Sequence, residues 1–152
     1  MQRPEVVVAA IIFNVKREVL LCKSAKWNNK YVVPGGHVEI GETLEEALIR
    51  EVKEETNLEV YDVSLVALKE SIQEDLEKKK ERGVSAQRHY IVFDYVCQTK
   101  DTHVTLNHEA SDYVWCALSE VFSYDLDPYT YTFFKAYRDD HSTFKKVIIY
   151  NA

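Results

Sequence analysis

A chain of 152 residues, 46% of them hydrophobic, can bury one substantial core, and a single domain over residues 1–152 is expected. Nineteen basic against 25 acidic residues give a formal charge of −6, which excludes a surface built to grip long nucleic acid. A small anionic ligand is still admissible if metal ions and a few local lysines neutralise it.

Arg3 followed by the apolar run Val6 to Phe13 imitates a signal peptide, but no small-residue cleavage site follows. Lys16-Arg17-Glu18 and then Val19-Leu20-Leu21-Cys22 point instead to two strands joined by a turn, Val6–Phe13 and Glu18–Lys23. A third strand, Tyr31–Val33, leads into Pro34-Gly35-Gly36 and Gly41, a turn-rich loop able to bring backbone groups close to a ligand. Thr43 with Glu46 forms a capping box, so a helix starts at Leu44 and runs to about Thr56, closed by Asn57 in the left-handed conformation. Glu59–Glu70 and Gln87–Gln98 are β-branched and aromatic runs that pair, and the charged stretch Ser71–Ala86 between them reads as an exposed loop or a loosely held helix. Asp112–Ala117 is a short strand, Ser119 caps a helical turn through Val121 and Phe122, and Asp127-Pro128 opens a second helix to about Arg138. Phe144–Tyr150 reads as a terminal strand. Strands and two helices in this order suit an α/β/α sandwich around a mixed sheet.

Nothing in the chain approaches membrane-spanning length, so no membrane partner is expected. Cys22, Cys97 and Cys116 are widely spaced, each inside an apolar run. They read as small core residues in a reducing, cytoplasmic setting and not as a zinc site or disulfide framework.

The first helix contains a conflict. Leu44, Ala47 and Leu48 form an apolar stripe at about 100° per residue, and its continuation is occupied by Glu51, Glu54 and Glu55. Carboxylates near a helix C-terminus cost about 0.3–1 kcal/mol each and need a cation there. Spacings of three, four and one let these side chains converge, and a hard divalent ion that takes oxygen ligands, Mg²⁺ or Mn²⁺, suits them. The competing reading is an ordinary solvated acidic face. Against it stand the position of the carboxylates on the core stripe and their place at the unfavourable end of the dipole.

Residues Gly36 to Leu58 resemble the box of the Nudix hydrolases: Gly, five residues, Glu, seven residues, Arg-Glu, an aliphatic, any residue, Glu-Glu, any residue, Gly, an aliphatic. Gly36, Glu42, Arg50, Glu51, Val52, Glu54, Glu55 and Leu58 match, and Asn57 departs from the expected glycine. The resemblance implies the same α/β/α fold and metal-dependent hydrolysis of a pyrophosphate linkage in a nucleoside diphosphate derivative. It implies that Glu54 and Glu55 ligate metal, that Gly36 offers its carbonyl, and that Glu51 either ligates or takes a proton from water. Arg50 then steers Glu51, although pairing with Glu46 is open to it by spacing, and Glu42 fixes the loop. Relatives draw a further carboxylate from a loop after the box. Glu109, six positions before Trp115, fits as an extra ligand or the base, ahead of Glu74, Glu77 and Glu81.

For substrate, Lys23 ends the second strand where relatives place a basic residue on phosphate, with Lys26 and Lys30 close in sequence. Trp27 and Tyr31 are candidates to stack on a base or ribose, with a packing role the stronger reading for Tyr31. His37 reads as a surface histidine. Tyr90 to Asp94, Asn107 to Glu109, Asp112 to Trp115 and Tyr124 to Leu126 look like bacterial Nudix nucleoside triphosphatases, which favours conversion of a (deoxy)nucleoside triphosphate to monophosphate and pyrophosphate. Cleavage of a nucleoside diphosphate sugar or ADP-ribose is the alternative. A non-catalytic nucleotide-binding regulator is disfavoured by the intact carboxylates. By resemblance, a homodimer would be unsurprising.

Overall fold

A computed structural model describes residues 2–83, 86–140 and 147–151. Seven strands run in chain order as β1 Glu5–Phe13, β2 Glu18–Ser24, β3 Lys30–Val32, β4 Gly35–His37, β5 Tyr61–Glu74, β6 Gln87–Gln98 and β7 Asp112–Ala117. The helices are α1 Leu44–Thr56, α2 Leu76–Arg82 and α3 Pro128–Asp140. The sheet runs β3-β2-β1-β6-β5, with β4 added to β1 and β7 to β2. It is mixed: β1 and β6 pair in parallel from Glu5↔Tyr90 to Phe13↔Gln98, while the other strand pairs are antiparallel. β1 and β2 share register only at Phe13↔Val19, so they diverge and β4 pairs with β1 at Val7 to Ala9.

The alternation of β1 explains the layers. Val8, Ala10 and Ile12 pack with Ala47, Leu48 and Val52 of α1, while Ile11 and Phe13 pack with Phe133 and Phe134 of α3. Successive side chains point to opposite faces, so a strand covered by a helix on each side must be apolar at nearly every position. That is why Val6 to Phe13 reads as one unbroken apolar run. The result is the expected α/β/α sandwich. The three cysteines are buried and free. Burial pushes the Cys22 and Cys97 thiols to about 12, so neither is a nucleophile at neutral pH. Among the described residues no helix is long and apolar enough to cross a membrane.

Helix α1 has both halves of its capping box, and Asn57 takes φ 60° at its C-terminus. Three expectations need correction. Of the charged stretch Ser71–Ala86, residues 71–74 are strand, with β5 paired as far as Glu74↔Gln87, while Leu76–Arg82 form the helix α2 with no buried residue, as the helix reading expects. Asp75, 3% exposed, anchors this tip by accepting from the Lys78 N–H and from Arg88 Nε. An ionic anchor of this kind has no apolar period to betray it. Ser119 lies inside the 3₁₀ turn Leu118–Ser123 and does not cap it, because Ala117 takes the extended N-cap position. Of the expected strand Phe144–Tyr150, residues 144–146 lie outside the described residues, and Val147 to Tyr150 form no strand and are exposed.

Candidate active site

Helix α1 and the short strand β4 supply the heart of the site. Glu51 and Glu55 lie near the middle of the helical stripe that Ala47, Leu48 and Val52 bury, whereas Glu54 is about 100° round from Glu55 and remains at the rim, with its side chain 55% exposed. The expected continuation of the stripe therefore holds for two of the three carboxylates. Glu55 accepts the Gly35 N–H at 3.1 Å. Burial, and next the Glu109 carboxyl hydrogen-bonded against it, push the Glu55 acid up to about 9. Glu51 is raised for the same first reason, opposed by Arg50 and assisted by Glu54 and Glu109.

Arg50 organises the rest. Its Nε and Nη2 clamp the Glu42 carboxylate, Nη1 donates to Glu51 at 2.9 Å and reaches Glu54 at 3.4 Å, and Nη2 donates to the His37 carbonyl at 2.9 Å. Glu42 is thereby held well below its ordinary range, first by Arg50 and then by the Glu39 N–H that it accepts at 2.9 Å. Arg50 thus steers Glu51 and ties the loop. It does not pair with Glu46, whose carboxylate is committed to the Thr43 N–H of the capping box.

Glu51, Glu55 and Glu109 line one cleft with Gly35, Gly36, His37, Lys26 and Trp27. The loop that carries Glu109 joins β6 to β7 and turns on Asn107, whose side chain accepts the Glu109 N–H at 3.0 Å. Among the described residues no three acidic, histidine or cysteine side chains stand in a geometry that would hold an ion as they are. Glu51 and Glu54 both pair with Arg50, at 2.9 and 3.4 Å. The donor set nonetheless fits a hard divalent ion. Two carboxyls crowd each other at Glu55 and Glu109, Glu51 is beside them, and a Cβ on Gly36 would overlap the Glu51 carboxylate, so backbone and carboxylate approach each other only because residue 36 is glycine.

A second cavity, with about 840 Å³ of empty space partly open to solvent, adjoins this cleft. The two share Lys26, Trp27, Val32, Val33 and Gly35 to His37. Beyond that shared wall the second cavity is lined by Lys69, Arg88, Tyr90, Asp127, Tyr129 and Phe133.

The substrate residues read from sequence fare unevenly. Trp27 lines both cavities. Lys23 lines neither: its neighbours Cys22 and Ser24 face the cleft, and strand alternation turns Lys23 away, 6.0 Å from the centre of the Tyr31 ring. Lys26, on the 3₁₀ turn after β2, takes the place expected for it. Tyr31 packs edge-on to Tyr124 with centroids 5.3 Å apart and belongs to the core under α3, as its packing reading expects. His37 is at the surface beside Glu5, 2.9 Å away. Glu74 pairs with Lys79 at the hairpin tip. Sequence reasoning passed over Lys69, Arg88, Tyr129 and the cavity role of Asp127. The sequence signal was a charged residue inside an apolar run, as at Asp94 between Phe93 and Tyr95, whose partner is Lys69.

The sequence matches the NUDIX domain over residues 3–137. It is 32% identical over 134 residues to the nucleoside triphosphatase NudI of Enterobacter sp. (strain 638), covering 84% of this chain and 92% of that protein. It is 40% identical over 105 residues to the m7GpppN-mRNA hydrolase NUDT17 of Xenopus laevis, covering 65% of this chain but only 34% of that much longer protein. Two solved structures share the fold: the NUDIX domain of Shewanella oneidensis NrtR complexed with ADP ribose, with TM-score 0.73, 16% identity and 93% and 90% of the two chains covered, and a MutT protein from Methanosarcina mazei Go1, with TM-score 0.71, 23% identity and 94% and 99% covered. The match spans the sheet, the carboxylate helix and most of α3 together, and with the box intact from Gly36 to Glu55 this chain belongs to the Nudix hydrolase family.

Proposed function

We propose that this chain hydrolyses a nucleoside or deoxynucleoside triphosphate to the monophosphate and pyrophosphate, in a reaction that requires Mg²⁺ or Mn²⁺. The observation that carries this reading is the adjacency of two unlike cavities across one wall. One is lined by carboxylates that gain from a cation and hence from bound phosphates, and the other by aromatic rings suited to a nucleobase. The likeness to NudI, named a nucleoside triphosphatase and matched over 92% of its length, supports the same substrate class.

In this reading Glu51, Glu54, Glu55, Glu109 and the Gly36 carbonyl are the groups that hold the ion. When bound, it supplies positive charge against the phosphate oxygens and makes a nearby water more acidic. Arg50 fixes Glu51 from one side and the Glu42 loop from the other, so that these donors are placed before substrate arrives. Glu109 comes from a loop opposite α1 and has no arginine partner, and it accepts the proton of the attacking water. The water oxygen bonds to a phosphorus of the α–β bridge, the bridging P–O bond breaks, and its electron pair leaves on the departing phosphate. Lys26 steadies the phosphates at the boundary of the two cavities, and Trp27 lies against the ribose or base.

Formation of nucleoside monophosphate from a panel of ribo- and deoxynucleoside triphosphates, ADP-ribose and nucleoside diphosphate sugars, together with release of pyrophosphate from the triphosphates, each with and without chelator, tests the assignment. Pyrophosphate from at least one triphosphate, abolished by the chelator, is expected. Cleavage confined to ADP-ribose or sugar nucleotides would replace the triphosphatase reading.

A further inference from the structure

We infer that Lys69 and Asp127 read the nucleobase edge, and that the aromatic cavity selects bases with a ring N–H beside a carbonyl (hypoxanthine, guanine, uracil or thymine) over adenine and cytosine. The inference rests on the triphosphatase reading above and names the substrate class within it. Both residues line the part of the cavity that the carboxylate cleft does not share, so they lie beyond the wall from the phosphate chemistry.

Each of the two has one hydrogen-bonding position left over. The Lys69 ammonium has three N–H groups. It spends two of them, on the Tyr129 carbonyl at 3.1 Å and on Asp94 Oδ2 at 3.4 Å, and stands 5.6 Å from the Tyr129 and Phe133 ring centres, contacts that take up no acceptor. Asp127 caps α3 with Oδ2 alone, which accepts from Tyr129 N at 2.9 Å and Thr130 N at 3.4 Å, and its Oδ1 accepts nothing among the described residues. Lys69 and Asp127 form no ion pair with each other within 4.0 Å; burial raises the Asp127 carboxyl, and the Thr130 and Tyr129 N–H groups and the nearby Lys69 ammonium oppose that rise. A donor and an acceptor therefore stand close together without satisfying one another, in an aromatic cavity where Asp127 is only 5% exposed. A ligand in the cavity can complete both positions.

The other charges of the cavity are already engaged. Arg88 is held by Asp75 and by the Tyr90 hydroxyl, His37 by Glu5, and Lys26 stands over the Trp27 ring at the boundary. A phosphate is a poor occupant at Lys69, because Asp94 and Asp127 oppose it. A flat heterocycle between Tyr129, Phe133 and Trp27 suits the walls.

The polarity of the pair is fixed: Lys69 only donates, and an ionised carboxylate only accepts. A base held by its ribose in one frame can satisfy this pair in one order only. The opposite order sets an N–H against the ammonium and a lone pair against the carboxylate. A lactam edge offers the stronger match, with a carbonyl oxygen for the ammonium and an acidic ring N–H for the carboxylate. Adenine and cytosine present the reversed order, an amino donor and a ring nitrogen acceptor at the same positions.

Two nearly isosteric pairs isolate this edge, inosine against adenosine and uridine against cytidine. Binding of their monophosphates, measured by calorimetry without metal, is expected to favour IMP and UMP by at least about tenfold over AMP and CMP. The triphosphates should follow in kcat/KM. Asp127→Asn keeps a good helix cap but no longer presents a fixed acceptor, so both ratios should collapse towards unity at unchanged melting temperature. Lys69→Gln, which can still bond Asp94, should do the same. Equal binding within each pair, a preference for AMP and CMP, no binding of any of the four, or a preference that survives Asp127→Asn would each overturn the inference. A base preference without hydrolysis of any triphosphate upholds it and overturns the triphosphatase reading. Hydrolysis without base preference does the reverse.

Discussion

Replacing Glu55 by glutamine keeps its volume and removes its charge, and the buried position of this carboxyl makes the consequences calculable. With the acid pushed up to about 9, Glu55 is protonated at pH 7 when no cation is present. An ion must therefore displace the proton. Two pH units correspond to about 3 kcal/mol, or about a hundredfold in affinity, withheld at pH 7 and recovered as pH rises towards 9. Calorimetric titration with Mn²⁺ in buffers of different ionisation heat should show release of about one proton at pH 7 in the wild type and of none from this position in Glu55→Gln. Stability carries the same signature in the opposite sense. The unfolded chain releases this proton near 4.5 and the folded metal-free chain near 9, so the native state binds more protons between them, and stability falls as pH rises through that window. Glu55→Gln should lose that slope, be at least as stable as wild type at pH 8 without metal, and lose turnover by at least about a thousandfold, or about 4 kcal/mol. Metal uptake by the wild type without proton release, or near-wild-type turnover of the variant at saturating Mg²⁺, would refute the placement of the site on α1.

Glu109→Gln should lower kcat by at least about tenfold, about 1.4 kcal/mol, with KM moving less, while glutamine at Glu74, Glu77 or Glu81 has mild effects. A fully active Glu109 variant would move the base elsewhere. Gly36→Ala should leave the chemical denaturation midpoint nearly unchanged but depress kcat, because the new methyl group displaces only the Glu51 carboxylate. Gly35→Ala should cost about 3 kcal/mol or more, since its methyl group meets the Val8 backbone across the β1–β4 pairing, and equal stability of the two alanine variants would contradict this contrast. Asn57→Gly should shift stability by less than about 1 kcal/mol with catalysis unaltered, as both residues accept φ 60° at the helix end, and a large gain in activity would show that position 57 acts on the site itself.

What could be read from the sequence divides along the distance between interacting residues. Thr43, Glu46 and Asn57 act on their own helix, so its limits could be placed at Leu44 and Thr56 from capping rules alone. The carboxylate cluster was legible for the same reason: Glu51, Glu54 and Glu55 fall within two turns. Even there, the helical angle needed finer treatment, since Glu54 falls off the buried stripe and its exposure follows. Lys23 was misjudged because proximity in sequence was weighed above the two-residue alternation that turns it from the cleft. The far cavity was illegible in principle. Lys69, Arg88 and Asp127 lie on β5, on β6 and before α3, and only the finished sheet brings them to one wall. The ion pairs of Asp75 that hold the hairpin tip left no periodic trace, and the charged stretch therefore did not reveal that β5 continues to Glu74.

The three residues of β4 form a septum one backbone thick. One side of Gly35 to His37 meets the carboxylates and the Arg50 clamp, and the other meets the aromatic cavity. Under the proposed function, a seated base and the phosphates therefore touch opposite sides of the same three residues. Under the same reading, inorganic polyphosphate leaves the far chamber empty and so forgoes the binding energy that a base contributes there.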